Sequence, residues 1–393
     1  MGQKTNMKNN IKDFIVKYWV EIFIFVILTF VIFWHLGKYA LADWDEAIYA
    51  DISRNVLHGN FLTLKWGSWD WFQKPPLYMW IEASFFKLFG VSEFSARLTS
   101  ALSGLGLSYL IYLIAKEFFN KKVAIFALAT VLLNTFLLAW FRFATIDIIA
   151  LFLNTLAIYF FWLSQNNKKY LIWCFIVLGL AGMAKGPVVI AIGLTFLIYL
   201  LLTRQTLTYL KNKYFYIGLA IFLLILLPWH LYMINKFGSN FIDEYFVYQI
   251  LTRAKEPIEG HFASWLYYPK LILKTFPLCL ILFFSVFVPK EKISIKRKEF
   301  LFLSIWLVLQ YFSIAKVATV LDWYILPVFI PLQILSAAIM VILYEKWKTP
   351  GKIFLFLIVL LSVFVEFWKP YNKSWTDLLN DKNEEKECIL EFS

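Results

Sequence analysis

Several clusters of polar residues in this chain have types and spacing suited to acid–base or anion-binding chemistry. In LADWDEAIYADISRN, Asp43, Asp45 and Glu46 crowd three carboxylates into four residues, and helical spacing puts Asp45, Tyr49 and Ile52 or Ser53 on one face. A carboxylate within hydrogen-bond reach of an acceptor hydroxyl is a general base. The same acids also suit a helix start, with Asp43 as N-cap and Asp45 and Glu46 in the first turn. In WDWFQKPPLY, Lys74 stands between Trp69, Trp71 and Phe72 on one side and two backbone-fixing prolines on the other. Its ammonium either binds a lipid phosphate or snorkels to anchor a helix. In FRFATIDIIALF, Arg142 and Asp147 read as an internal ion pair or as contacts to a substrate. Lys185 in AGMAKGPVV, and Lys316, Asp322 and Tyr324 in IAKVATVLDWYILP, complete the set with Tyr245, Gln249, Arg253, Glu259 and His261 of segment 236–268.

The elements that hold these residues are set by composition. Of 393 residues 61% are hydrophobic, 20% aromatic and 16% charged, whereas soluble domains carry about 25% charged residues. Three cysteines give no disulfide framework or Cys-based metal site. The fold class expected is an all-α polytopic membrane protein. Spans of about 20 apolar residues are predicted at 19–39, 96–115, 123–141, 146–164, 170–184, 186–203, 214–235, 269–288, 300–315, 323–344 and 353–368, eleven in all. The first is too long and lacks the cleavage site of a signal peptide.

With the lysine-bearing tail 1–18 in the cytoplasm, alternation places Lys121 and Lys122, Lys168 and Lys169, Lys211 and Lys213, Lys296 and Arg297, and Lys346 and Lys348 on the same side. That accounts for the net charge of +12 by the positive-inside rule, without nucleic acid as a partner. The loops on the other face carry acidic residues, among them Asp43, Asp45, Glu46, Asp147, Asp243 and Asp322. Residues 75–89 hold Glu82 and Lys87 and open with Pro75-Pro76, so they are expected as an amphipathic interfacial helix and not a twelfth span. The expected organisation is then a transmembrane domain over 19–368, with extracytoplasmic loops at 41–95, carrying two or three surface helices, and at 236–268. A polar tail over 369–393 follows, on the extracytoplasmic side. Nucleotide-binding and zinc-protease motifs are absent from the sequence.

Six short motifs, in this order, resemble the integral-membrane glycosyltransferases of the GT-C fold that use polyprenyl-phosphate sugars, above all the lipid A aminoarabinose transferases and bacterial O-mannosyltransferase-like proteins. They are D-E-x-x-Y-A (Asp45 to Ala50), K-P-P-L-x-x-W (Lys74 to Trp80), R-F-x-x-x-D (Arg142 to Asp147), K-G-P (Lys185 to Pro187), G-H (Gly260, His261) and K-x-x-x-x-x-x-W-Y-x-L-P (Lys316 to Pro327). The resemblance spans roughly residues 20–335. It implies a polyprenyl-phosphate sugar as donor, a lipid, glycan or protein as acceptor, and inverting transfer at the outer face of the cell membrane. It also implies Asp45 and Glu46 as the catalytic carboxylates. Lys74, Lys185, Arg253 and Lys316 would then bind the donor phosphate, and Tyr49, Arg142, Asp147, His261 and Tyr324 would line the cavity. Gln73 stands where the lipid A branch typically has Glu, so a divalent metal at His261 has no support and no cofactor is expected. Two other classes compete: a flippase or transporter of a lipid-linked sugar, which would carry its polar residues near the bilayer midplane, and a non-catalytic membrane subunit, which would lose Asp45 and Lys74.

Overall fold

The computed structural model describes residues 2–257, 264, 266–287, 291, 296–347 and 349–368. The protein is a bundle of helices: α1 (Gly2–Phe33), α2 (Asp45–Leu57), α3 (Leu77–Phe89), α4 (Glu93–Phe118), α5 (Lys121–Leu132), α6 (Thr135–Trp140), α7 (Ile146–Leu163), α8 (Tyr170–Lys185), α9 (Val189–Leu202), α10 (Thr206–Leu210) and α11 (Lys213–Phe237). Further on come a wide helix Ile242–Thr252, a bent pair Tyr267–Thr275 and Pro277–Phe287, and three helices Arg297–Ala315, Leu326–Lys346 and Thr349–Trp368. Leu326–Lys346 runs through the middle, and even its polar Gln333 and Ser336 are fully buried.

Among the described residues six helices are long and apolar enough to cross a membrane, or seven if the pair bent by 102° is one span. The eleven expected spans are therefore not reached by length and apolarity. The first follows a non-helical break at Tyr18, and its helix ends at Phe33, six residues before the expected end. The third is cut at Asn134, whose side chain accepts from Leu137 N at 2.9 Å and starts α6; such a cap satisfies a donor that a continuous helix would not expose. The apolar part of the last helix is only Gly351–Phe364.

The 33-residue segment Tyr170–Leu202 counts once by length, yet it doubles back. The Tyr170 ring lies 6.1 Å from Phe160 and the Tyr199 ring 6.3 Å from Phe161, whereas a straight helix would separate residues 170 and 199 by about 40 Å. The reversal is at Gly186, at φ +66°, where a side chain would be strained. The arms expected at 170–184 and 186–203 are thus α8 and α9.

Segment 75–89 forms the 13-residue α3, too short to cross. It is buried more deeply than an interfacial helix, between α2 and α4 and against α8. Glu82 is fully buried, accepting from Ser53 Oγ at 2.5 Å and Tyr78 OH at 3.2 Å. Besides α2 and α3, the first loop contains a two-residue hairpin that pairs Lys65 with Asp70 and Trp66 with Trp69. Segment 236–268, expected as a loop, is largely helical where described, and its wide helix closes backbone bonds at i→i+5.

One buried ion pair fastens these parts together. Arg97, on α4, donates all five of its N–H groups: Nε and Nη2 to the two Glu46 oxygens at 2.9 and 3.0 Å, and the rest to the carbonyls of Leu36, Tyr39 and Ala40 at 2.8–2.9 Å. Glu46 also accepts from Ala42 N at 2.7 Å and Ala144 N at 2.6 Å. The end of the α1 connection, α2, α4 and the turn before α7 are thereby fixed to one another. Of the basic residues expected in the cytoplasm, Lys121 and Lys122 lie at the far end of the bundle, where they pair with Glu21 and Glu345.

Two outcomes follow for stability. Arg97→Lys cannot reproduce the planar fork and leaves Glu46 short of partners, so it should cost roughly 3 kcal/mol or more; an unchanged thermal midpoint in detergent would show that the pair is dispensable. Burial raises the Glu82 carboxyl from 4.5 to about 8. The folded protein therefore prefers Glu82 protonated, and stability should fall as pH rises from about 4.5 to about 8. Glu82→Gln should flatten that slope in thermal melts taken across this range.

Candidate active site

At the end of the bundle opposite Lys121 and Lys122, five stretches of chain bring charge together. Asp45 is the first residue of α2, directly beside the clamped Glu46. The N-cap position is held by Trp44 at φ +71°, and Asp43 is exposed, so the capping role considered for Asp43 is not the one found. Asp45 and Tyr49 lie one helical turn apart on α2, close enough for each to act on the other's proton. The Tyr49 ring is buried edge-on against Trp71 at 6.1 Å and Tyr78 at 5.7 Å.

Lys74 enters from the loop before Pro75-Pro76, and its Nζ donates to Gln249 Oε1 on the wide helix at 3.0 Å. Asp147, in the first turn of α7, forms a buried ion pair with Lys185 at the end of α8. Lys185 Nζ also lies 5.3 Å over the Tyr324 ring, a favourable place for a cation. Arg253 Nη1 donates to the Tyr324 hydroxyl at 3.3 Å. Asp45, Lys74, Asp147, Lys185, Arg253, Tyr49 and Tyr324 thus form one cluster, although the sequence scatters them over 280 positions.

The electrostatics of the cluster follow from burial and like charges. Burial, then Asp147, raises the Asp45 carboxyl above its ordinary value, against the pull of Lys74 and Lys185. Burial, then Arg253 and Lys185, lowers the Lys74 amine from 10.5 to about 7. Tyr49 is driven far upward by burial and by Asp45 and Asp147, so it stays a neutral hydrogen-bond donor. A carboxylate with raised basicity beside three cationic side chains suits proton abstraction next to a bound anion. Along the other face of the wide helix an open cavity of about 680 Å³ runs between Asn240, Glu244 and Tyr248 and the loop residues Trp66, Trp71 and Gln73.

Several residues named from the sequence sit elsewhere. Glu46 is 1% exposed, with both oxygens taken by Arg97 and two backbone amides, so it has no free lone pair for catalysis and acts as structural support. Arg142 does not pair with Asp147; it donates to the carbonyls of Val31, Ile32 and Trp34 and so satisfies the end of α1. Lys316 is exposed at the end of Arg297–Ala315, and no hydrogen bond or ion pair among the described residues brings it to the cluster. His261, with Glu259 and Gly260, lies outside the described residues. Among the described residues no group of three or more His, Cys, Asp or Glu side chains is arranged to hold a metal. Arg97 was passed over in the sequence, though an arginine inside an apolar span is a signal in its own right.

Comparison with known proteins agrees with this architecture. The dolichyl-phosphate-mannose-protein mannosyltransferase family matches over residues 73–232. An uncharacterized protein of Aquifex aeolicus is 31% identical over 376 residues, covering 93% of this chain and 84% of that one. The undecaprenyl phosphate-alpha-4-amino-4-deoxy-L-arabinose arabinosyl transferase 1 of Proteus mirabilis is 30% identical over 331 residues. That match takes in 81% of this chain but only 58% of the Proteus enzyme, so the chain spans little over half of it. The crystal structure of ArnT from Cupriavidus metallidurans bound to undecaprenyl phosphate superposes with a TM-score of 0.75 at 23% identity, over 86% of this chain and 62% of that one.

The Lys74 amine offers a direct check on the cluster. Labelling by a small amine-reactive reagent, read peptide by peptide by mass spectrometry, should titrate at Lys74 with a midpoint near 7. Asp45→Asn removes a charge that favours the ammonium and should move the midpoint lower still. A midpoint near that of exposed lysines would mean that Lys74 stands in water and not among these charges.

Proposed function

The chain belongs to the GT-C-fold family of polyprenyl-phosphate-sugar-dependent membrane glycosyltransferases, and from that premise we propose that it moves a sugar from a polyprenyl-phosphate donor to a lipid, glycan or protein acceptor. The observation that carries this reading is the juxtaposition of Lys74, Lys185 and Arg253 with the basic carboxylate of Asp45 at one end of a membrane-embedded bundle.

The leaving group in such a reaction is a lipid phosphate, which needs cationic and hydrogen-bond donors as charge builds on its oxygens. Lys74 and Arg253 supply them, with the Tyr324 hydroxyl beside Arg253. Lys185 is neutralised by Asp147 and contributes less net charge than the other two. Asp45 takes the proton of an acceptor hydroxyl, whose oxygen attacks the anomeric carbon. The bond from that carbon to phosphate oxygen breaks, and the polyprenyl phosphate leaves with the electron pair. One displacement of this kind inverts the anomeric centre. An acceptor that is itself an ionised phosphate would need Asp45 only for orientation.

The sugar is a hexose or a pentose, and the aminoarabinose transferases among the relatives favour a pentose. The basic residues at the opposite end of the bundle support a site on the extracytoplasmic face of the inner or plasma membrane. A transporter would line a path through the midplane, whereas these charged groups gather at one end.

Purified protein in liposomes, offered polyprenyl-phosphate sugars extracted from the host, should release polyprenyl phosphate detectable by mass spectrometry. Asp45→Asn should lower turnover by about a hundredfold or more while affinity for undecaprenyl phosphate stays near that of the parent. Near-parental turnover in that variant would remove Asp45 from the chemistry.

A further inference from the structure

We propose that Gln249 is a positioning residue for Lys74: its side-chain oxygen holds the amine in the cavity and gives it up when a donor phosphate arrives. The proposal rests on the function above and adds the element that prepares the phosphate site. Gln249 is 9% exposed, and its Oε1 accepts from Lys74 Nζ at 3.0 Å across 175 positions of sequence.

The helix that carries Gln249 makes two further contacts of the same kind. Its bonds close at i→i+5, so residues four apart stay on one face, and Tyr245, Gln249 and Arg253 form a single row. The Tyr245 hydroxyl fills the space a Cβ on Gly186 would take, beside the turn that follows Lys185, and meets His230 Nε2 at 3.3 Å. Arg253 reaches Tyr324, over which Lys185 lies. Past its end the chain is tied down by Ala318 N donating to Ala254 O at 3.1 Å and Thr319 Oγ1 to Glu256 O at 3.0 Å. One row of side chains therefore meets Lys74, the turn after Lys185, and Tyr324.

An amide is the side chain that this task needs. Lys74 is surrounded by Arg253 just past the wide helix, Lys185 on α8, Asp45 on α2 and Asp147 on α7. An aliphatic residue at 249 would leave the buried amine without an acceptor and favour its neutral form. A carboxylate would pair with the ammonium and compete with an incoming phosphate. The amide accepts from the ammonium, adds no charge, and yields to an anion.

The test uses the full-length protein and two variants, Gln249→Leu and Gln249→Glu, with the amine-labelling titration of Lys74 as the first readout and undecaprenyl phosphate binding as the second. Gln249→Leu should shift the labelling midpoint down by about one pH unit and Gln249→Glu up by at least as much. Gln249→Glu should also weaken undecaprenyl phosphate binding about tenfold. Its shape is that of the native residue, so it carries the test even where the leucine variant fails to fold. Midpoints equal to the parent's in a folded Gln249→Glu protein would overturn the proposal. The titration needs no donor, so a parent protein that shows the shifts but binds no undecaprenyl phosphate would count against the glycosyltransferase reading and leave the positioning of Lys74 standing.

Discussion

The charges in this protein are placed by a pair that has no bonding capacity left over. Removing an arginine and a glutamate from water costs several kcal/mol per ion, and the attraction between them offsets that cost only when the remaining donors and acceptors are also filled. Arg97 and Glu46 meet the condition: five donors on one side and four acceptor positions on the other, shared with carbonyls and amides from two separate stretches of chain, 36–42 and the turn at Ala144. Asp45 is the residue before Glu46, and Asp147 comes three after Ala144, whose amide Glu46 receives. The spacing between the two carboxylates of the site is thus inherited from the clamp.

Around that frame, one opposite pair, Lys185 and Asp147, is matched, while Asp45 and Lys74 are left without a direct ion-pair partner. Lys185 is closest to Asp147, while Asp45 and Lys74 sit near each other and near the pair. Burial lifts one proton affinity and depresses the other, which brings a carboxylate and an amine closer in basicity than they would be in water. Such a site can take a proton from one group and lend positive charge to another with little rearrangement. The aromatic walls from Tyr49, Trp71 and Tyr78 keep it partly dry, and low dielectric is what makes each of these charges felt.

Much of this was legible in the sequence because a charge beside apolar or aromatic residues needs a reason to be there. Asp45 stood out in an acidic cluster, Lys74 between aromatics and prolines, Asp147 and Lys185 at the ends of spans and Arg253 in segment 236–268, and the structure brings them together. Glu46 was misread because adjacent carboxylates look alike on paper. What separates it from Asp45 is an arginine 51 positions away, and no local pattern reports that contact. Arg142 and Asp147 are near in sequence, yet Arg142 sits in the turn before α7 and meets the carbonyls that end α1 instead. Hydropathy finds apolar length but not breaks, so the end of α1 at Phe33 and the cap at Asn134 were invisible to it, and the wide helix was read as loop because its polar residues mask its periodicity.

The hydrogen bond from Lys74 to Gln249 also carries an arithmetic of parity. Both residues sit at the same end of the bundle, so the chain between them must traverse it an even number of times. The passages are α4, α5 with α6, α7, α8, α9 and α11, which is even only because the segment at Gly186 turns back and does not run on. Had it continued straight, the wide helix would have emerged at the opposite end of the bundle, away from Lys74. A residue without a side chain thus permits the reversal that returns Gln249 and Arg253 to the end where Asp45 and Lys74 lie.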